Sequence, residues 1–182
     1  LLSKVSLFLL LIILYPFAFA STYHLEPQKG SLKFEAVGQP GFIKINGKGE
    51  GPKGELTVEN DLLSGQLEYD LTQLDTGIGF RDRHMKENYL NTKKYPNARI
   101  VFEKQKINLT QKVNQKIHGK LMFHGETKET EVQFNIDDSK VTAQMNVLLK
   151  NFAIEIPTYA GITMAENVKV ETTFEAEKQP DK

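Results

Sequence analysis

The densest polar chemistry in the sequence is Arg81-Asp82-Arg83-His84. A catalytic reading takes His84 as a general base oriented by Asp82, but side chains at i and i+2 on a helix do not face one another. No nucleophile or metal site accompanies the cluster, so structure or gating is its expected work. Asp82 would then sit near the positive end of a helix dipole, with the arginines pairing with nearby carboxylates. Of the four histidines, His24, His84, His118 and His124, none are paired at the i, i+4 spacing of a helical metal site. His118 and His124 would share one outer strand face about 20 Å apart, too far to hold one ion, and are expected as solvated surface residues. The chain has no Cys, which excludes disulfides, thiolate zinc sites, thiol catalysis and a lipidated cysteine. It has no G-x-S-x-G elbow, P-loop or dinucleotide fingerprint. Gly47-x-Gly49-x-Gly51-x-x-Gly54 superficially matches a phosphate loop, but no strand-to-helix transition surrounds it and a flexible hairpin tip is expected. Asn108-Leu109-Thr110 is a formal glycosylation sequon of a kind common by chance.

The elements that must position these residues repeat with a period of two, the mark of strands with one buried face. Leu67, Tyr69 and Leu71 alternate with Gln66, Glu68, Asp70 and Thr72. Ile100 and Phe102, extended to Lys104, share a face, as do Gly119, Leu121 and Phe123. Val132, Phe134 and Ile136 oppose Glu131, Gln133 and Asn135; Val141, Ala143, Met145, Val147 and Leu149 oppose Thr142, Gln144 and Asn146. The last strand turns Val168, Val170, Thr172, Phe174 and Ala176 inward. Shorter strands are expected at Ser31–Val37, with Leu32, Phe34 and Ala36 inward, at Phe42–Gly47, and at Gly54–Glu59, with Leu56 and Val58 inward. Turn signals fall at Gln39-Pro40-Gly41, Gly49 to Gly54, Asn60-Asp61, Gly125-Glu126-Thr127 and Asp137-Asp138-Ser139. Eight or nine strands joined by short turns, without helices to cover a second face, are best stabilised by closing on themselves. The expected fold is therefore all-β: a closed antiparallel β-barrel of about eight strands.

One segment breaks the period. Arg81 to Asn91 has Met85, Tyr89 and Leu90 at helical spacing, and Lys93-Lys94-Tyr95-Pro96 stops it, since the residue before proline is pushed out of the helical region. A short helix across one barrel end is expected. It would gate that mouth, with Met85 and Tyr89 facing the interior and Arg81 and His84 near the polar end of any guest.

The 182 residues suffice for one core, and 23 positive charges balance 23 negative ones, so no basic field for nucleic acid exists. Leu7 to Tyr15 is an unbroken apolar run of nine residues, followed by Ala18-Phe19-Ala20. This is the pattern of a secretory signal peptide cleaved after Ala20, because Val5 to Ala20 is too short to cross a bilayer. The expected organisation is a signal at 1–20, one domain over 21–178 and a frayed polar tail at 179–182, exported to the periplasm.

Three blocks carry a resemblance. Leu74-Asp75-Thr76-Gly77 with Arg81-Asp82-Arg83-His84-Met85 and Lys94-Tyr95-Pro96-Asn97-Ala98 forms the first. His118-Gly119-Lys120-Leu121 through Lys128 is the second, and Phe152-Ala153-Ile154 through Gly161 to Val170 the third. Together they resemble the YceI-like family over roughly Tyr23 to Glu177. Tyr89-Leu90 departs from the phenylalanine pair common there, Gln28-Lys29-Gly30 from a His-containing turn, and Asn167 from an aspartate. The resemblance implies a periplasmic, lipocalin-like barrel with an elongated apolar cavity for polyisoprenoid chains, including quinone tails.

On that reading the guest is lined by Phe34, Leu67, Tyr69, Leu71, Ile100, Phe102, Leu121 and Phe123. Val132, Phe134, Ile136, Met145, Val147, Val170 and Phe174 complete the wall, and Arg81, His84, Met85 and Tyr89 stand at the lid. The inward set offers only the Tyr69 and Thr172 hydroxyls, so a sugar, peptide or nucleotide would find too few polar partners. The expected partners are a polyisoprenoid or other long-chain lipid and a transient membrane contact, with no cofactor, metal or enzyme activity; homodimerisation stays open. Two rivals remain: a barrel enzyme acting on a small hydrophobic substrate through His84 and Asp82, and a filled barrel that binds another envelope protein.

Overall fold

The structure, a computed structural model, describes residues 20–39, 43–159 and 162–178. The segment expected as a signal, up to residue 19, the turn expected at Pro40-Gly41 and the tail from 179 onward lie outside the described residues. Ala20 opens the first strand, opposite Glu59.

The fold is all-β with one short helix. In chain order the strands are β1 (Ala20–Leu25), β2 (Gly30–Gln39), β3 (Ile43–Glu50), β4 (Lys53–Glu59), β5 (Leu62–Asp70), β6 (Asn97–Lys106), β7 (Gln115–Phe123), β8 (Glu126–Asp137), β9 (Lys140–Leu148), β10 (Thr158–Tyr159), β11 (Ile162–Glu175) and β12 (Glu177–Lys178). They form one curled antiparallel sheet in the order β12-β1-β4-β5-β6-β7-β8-β9-β11-β2-β3, with β10 beside β11. Strand segments outnumber the expectation of about eight because two long strands are each bent and because β10 and β12 are two-residue segments. A 3-10 turn at Pro27–Lys29 separates β1 from β2, and Gly51-Pro52 separates β3 from β4.

The two bends lie against each other: the Gly51 N–H donates to the Pro27 carbonyl at 3.0 Å. A Cβ on Gly51 would lie about 2.5 Å from Gly30 Cα, so only glycine permits this approach. The expected flexible hairpin tip at Gly47 to Gly54 is instead the end of β3, the bend and the start of β4. Proline at the bend is fully buried.

Two-residue turns join three of the hairpins. Asn60 and Asp61, at φ 51° and 61°, close β4 on β5, and His124 and Gly125, at 51° and 84°, close β7 on β8. Positive φ at both positions gives the turn twist that matches paired strands. Asp138 at φ 52° begins the turn from β8 to β9. The β7–β8 turn thus starts one residue earlier than expected, which leaves Glu126 and Thr127 in β8. Lys104 is not an inward residue: its φ of 48° breaks the alternation of β6, and its N–H turns to the Ser64 hydroxyl at 3.2 Å.

The helix α1 spans Gly79–His84 and runs into a π-helical turn at Met85–Tyr89. The expected single helix from Arg81 to Asn91 therefore begins and ends earlier and is split between two kinds of turn. Inward residues of the strands form one apolar core with Leu71, Leu74 and Leu90 from the connection between β5 and β6. Among the described residues, no helix is long and apolar enough to cross a membrane.

Candidate ligand-binding site

Antiparallel topology gives the interior two distinct ends. The C-terminal ends of β5, β7 and β9 and the N-terminal ends of β6 and β8 lie with α1. The opposite end collects the starts of β5, β7 and β9, the finishes of β6, β8 and β11, the loop 107–114 and the turn at Asp138-Ser139. A cavity of about 310 Å³ occupies this second end.

Of the residues expected to line a guest, Leu67, Tyr69, Ile100, Phe102, Val132, Phe134, Ile136, Met145, Val170 and Phe174 do line the cavity. Leu71, Leu121 and Val147 are buried core and Phe34 and Phe123 half-buried core outside the cavity wall. Phe34 lies over Gly47, where any Cβ would strike its ring. Phe123 packs on Phe152, ring centroids 5.3 Å apart, and Leu149, Phe152 and Ile154 are buried beside it. These described side chains pack toward the helix end of the interior.

The proposed lid residues therefore do not meet the cavity. Met85 and Tyr89 are half-buried and pack on the core, while Arg81 and His84 take local partners. Thr76 is the hub of that segment: Arg81 donates to its hydroxyl and its carbonyl, each at 2.9 Å, and its hydroxyl and N–H donate to one Asp82 carboxylate oxygen at 2.6 and 2.8 Å. Desolvation pushes the Asp82 carboxyl up, but the Thr76 hydroxyl and N–H outweigh it, with help from Asp75 and Lys86, and hold it below its ordinary value. Arg81 thus grips a threonine rather than the carboxylate expected of it.

His84 turns away from Asp82. Its Nδ1 accepts from the Asn88 side-chain amide at 2.7 Å, and its ring stacks on Phe80 and meets the edge of Tyr89. His124 is not the solvated residue expected: its Nδ1–H donates to the Phe152 carbonyl at 2.9 Å, beneath the Tyr95 ring. His118 is exposed. Among the described residues no group of three His, Asp or Glu side chains could hold a metal ion.

Within the cavity wall the polar chemistry is small and already engaged. Tyr69 is fully buried and hydrogen bonded to the Thr172 side chain; burial pushes its phenol up to about 12, against a lowering by Thr172. The Thr172 hydroxyl donates to the Ser31 carbonyl at 3.1 Å. No buried side-chain nitrogen or oxygen among the described residues lacks a hydrogen-bond partner. A guest in this space meets apolar walls and finds no orphaned polar atom to bind.

Sequence reasoning missed the mouth. Leu109, Lys112, Asp138 and Ser139 rim it, with Tyr23 from β1 and Ala176 beyond β11. Buried Gln115 holds the rim in place: its Oε1 accepts the Asn108 N–H at 2.7 Å, and its Nε2 donates to the Asn108 and Gln111 carbonyls at 2.9 and 2.8 Å. The only signal for it was a polar residue on the inward face at the start of β7.

A curled antiparallel sheet around an apolar cavity, with its buried polar atoms hydrogen bonded, is the class of fold and site this chain presents. The chain belongs to the YceI-like domain family, whose pattern matches residues 23–176. Its fold is similar to that of a polyisoprenoid binding domain from Saccharophagus degradans, at 17% identity and a TM-score of 0.57 over 87% of this chain and 98% of that one. BcnA of Burkholderia cenocepacia aligns at 14% identity and a TM-score of 0.64 over 82% of this chain and 97% of its own. The YceI protein of Campylobacter jejuni aligns at 14% identity and a TM-score of 0.52, over 77% and 88%. Among curated proteins no sequence relative matches.

Proposed function

We propose that this chain is a periplasmic carrier that encloses a long isoprenoid lipid, of polyprenyl or quinone type, in the interior of a closed eight-stranded barrel. The observation that carries the reading is the apolar cavity at the end away from α1, walled by side chains of β4 to β9 and β11. Family membership and the polyisoprenoid binding domain from Saccharophagus degradans support the same ligand class. Closure follows if β1 with β2, and β3 with β4, each count as one bent strand. β2 then pairs β11 on one edge and β3 on the other, β1 pairs β4, and β12 returns to β1. An eight-stranded barrel is near the size that either fills with side chains or holds one slender guest, and the apolar cavity supports the second.

Binding rather than catalysis is favoured because His84 and Asp82 are turned to different partners and neither lines the cavity. Each five-carbon unit taken from water contributes about 4 kcal/mol gross, at ~0.8 kcal/mol per CH₂. Release into water is then slow, and exchange requires an apolar surface. Export rests on the apolar run and the Ala18-Phe19-Ala20 site; cleavage after Ala20 leaves Ser21, the partner of Val58, as the first residue.

The test is native mass spectrometry of protein from the periplasmic fraction of a membrane-bearing host, then delipidation and rebinding of a polyprenyl alcohol or a quinone. The expected result is one co-purifying isoprenoid per chain and a mature N-terminus at Ser21. An interior empty in the native sample that refuses both probes afterwards would eliminate the carrier reading.

A further inference from the structure

We propose that the loop 107–114 docks the cavity mouth onto a lipid bilayer, so that the mouth opens into the membrane interface. This rests on the carrier reading and names the surface through which the lipid passes. Single exposed apolar residues are ordinary. Leu109 and Val113, however, are 45% and 55% exposed within one short loop, and Leu109 also lines the cavity. Leu109 therefore joins the apolar interior to the exposed surface of the loop.

The backbone of this loop is prepared to leave water. The N–H of Ile107 donates to the Asp61 carbonyl at 2.9 Å, and that of Asn108 to buried Gln115. Asn108 Oδ1 accepts both the N–H and the hydroxyl of Thr110, at 3.0 and 2.7 Å. Gln111 donates its N–H to the Asn108 carbonyl and its side-chain amide to the Val113 carbonyl. Lys112 offers its carbonyl to Ile136 at 2.7 Å, and Asn114 donates its N–H to the Asn135 side chain at 2.7 Å. Unsatisfied backbone groups are costly where water is excluded; the bonded N–H groups of Ile107, Asn108, Thr110, Gln111 and Asn114 lower that cost in the hydrated headgroup region, where the apolar tips do the binding.

Charge at the rim is mixed, since Lys112 and Asp138 both line the mouth. Apolar insertion, not attraction to anionic lipid, is thus the driving term. Ile78 and Phe80, a second exposed apolar pair among the described residues, lie at α1 and outside the wall of this cavity, and supply the control.

The experiment uses the full mature chain with vesicles of phosphatidylcholine alone, or mixed with phosphatidylglycerol, each carrying a polyprenyl alcohol. Wild type is expected to float with both vesicle types and to lose little binding in high salt. The Leu109→Asp, Val113→Asp double variant should lose about tenfold or more in vesicle binding and in the rate of polyprenol uptake from vesicles. Leu109→Ile, Val113→Leu and Phe80→Asp should retain both. Loading from detergent should be equal in wild type, Phe80→Asp and a Val113→Asp single variant, whose changed side chains lie outside the cavity wall, and this reports on the cavity and the fold independently of docking. Wild type that stays unbound to both vesicle types, or a Leu109→Asp, Val113→Asp variant that docks and loads like wild type, overturns the proposal. Failure to take polyprenol from detergent would instead defeat the carrier reading, with flotation still reporting on the loop.

Discussion

Tyr69 on β5 and Thr172 on β11, strands that do not pair, meet by a side-chain hydrogen bond in the wall of the apolar cavity. The contact joins sequence positions a hundred residues apart and shows the sheet curling back toward itself. It also makes the phenol a reporter of the folded interior.

Burial raises the Tyr69 phenol to about 12 from an ordinary value of 10.0. Its raised value leaves stability intact below pH 10 and removes it as pH climbs through 10 toward 12, because the unfolded phenol ionises first. The loss approaches 3 kcal/mol at about 1.4 kcal/mol per pH unit. Urea unfolding from pH 8 to 11 should show Tyr69→Phe with a shallower alkaline decline than wild type. At pH 7 the variant should lose only about 1 kcal/mol. Parallel declines in the two proteins would mean that the phenol is not protected by the fold.

Glu68 ties three neighbouring strands, receiving Lys53 of β4 at 2.9 Å and Arg99 of β6 at 2.7 Å. Hydrogen bonds from Lys53 and then Arg99 hold its carboxyl below the ordinary value of 4.5. Stability from a depressed carboxyl is present above its unfolded value and is lost as pH falls through the folded one. Glu68→Gln is expected to cost about 1 kcal/mol at pH 7 and less at pH 3, where the carboxylate begins to protonate. The check is the urea midpoint of both proteins at the two pH values; an undiminished difference in acid would contradict the assignment.

Phe34 covers Gly47 so closely that alanine at Gly47 must displace the ring. Gly47→Ala should destabilise by about 1 to 3 kcal/mol, the usual cost of overpacking. Added to Phe34→Leu, the same change should cost much less, since the obstacle is gone. Thermal melts of the four proteins in the cycle give the coupling, and strict additivity would show that the ring does not sit there.

Occupancy should follow the hollow end of the interior rather than the helix. Ala143→Phe places a ring into the cavity that Ala143 lines and should abolish retention of polyprenyl alcohol in native mass spectra while the fold persists by circular dichroism. Tyr89→Ala removes a side chain packed on the core outside the cavity wall and should leave ligand dissociation unchanged. Faster release from Tyr89→Ala would restore gating by α1.

Much of this was readable from residue order because the relevant physics is local. A strand with one wet face must alternate, so the inward side of β5, β8 and β11 was legible residue by residue, as was the start of Asn60-Asp61 as a turn. The apolar character of the interior followed from the same alternation, which left Tyr69 and Thr172 as its only hydroxyls. The bend at Gly51 was not legible: a glycine-rich run looks flexible until Gly30 and Phe34, from another strand, are found pressed against it. Neither was the position of the cavity within the interior. Phe123 packs on Phe152 near α1, whereas Ala143 and Ala176 line the cavity, and the local pattern is identical in both. Hollow space is the difference between the volume that distant strands enclose and the summed volume of the side chains they turn inward. That difference, and with it the position of the mouth beneath Leu109, exists only once the sheet has curled.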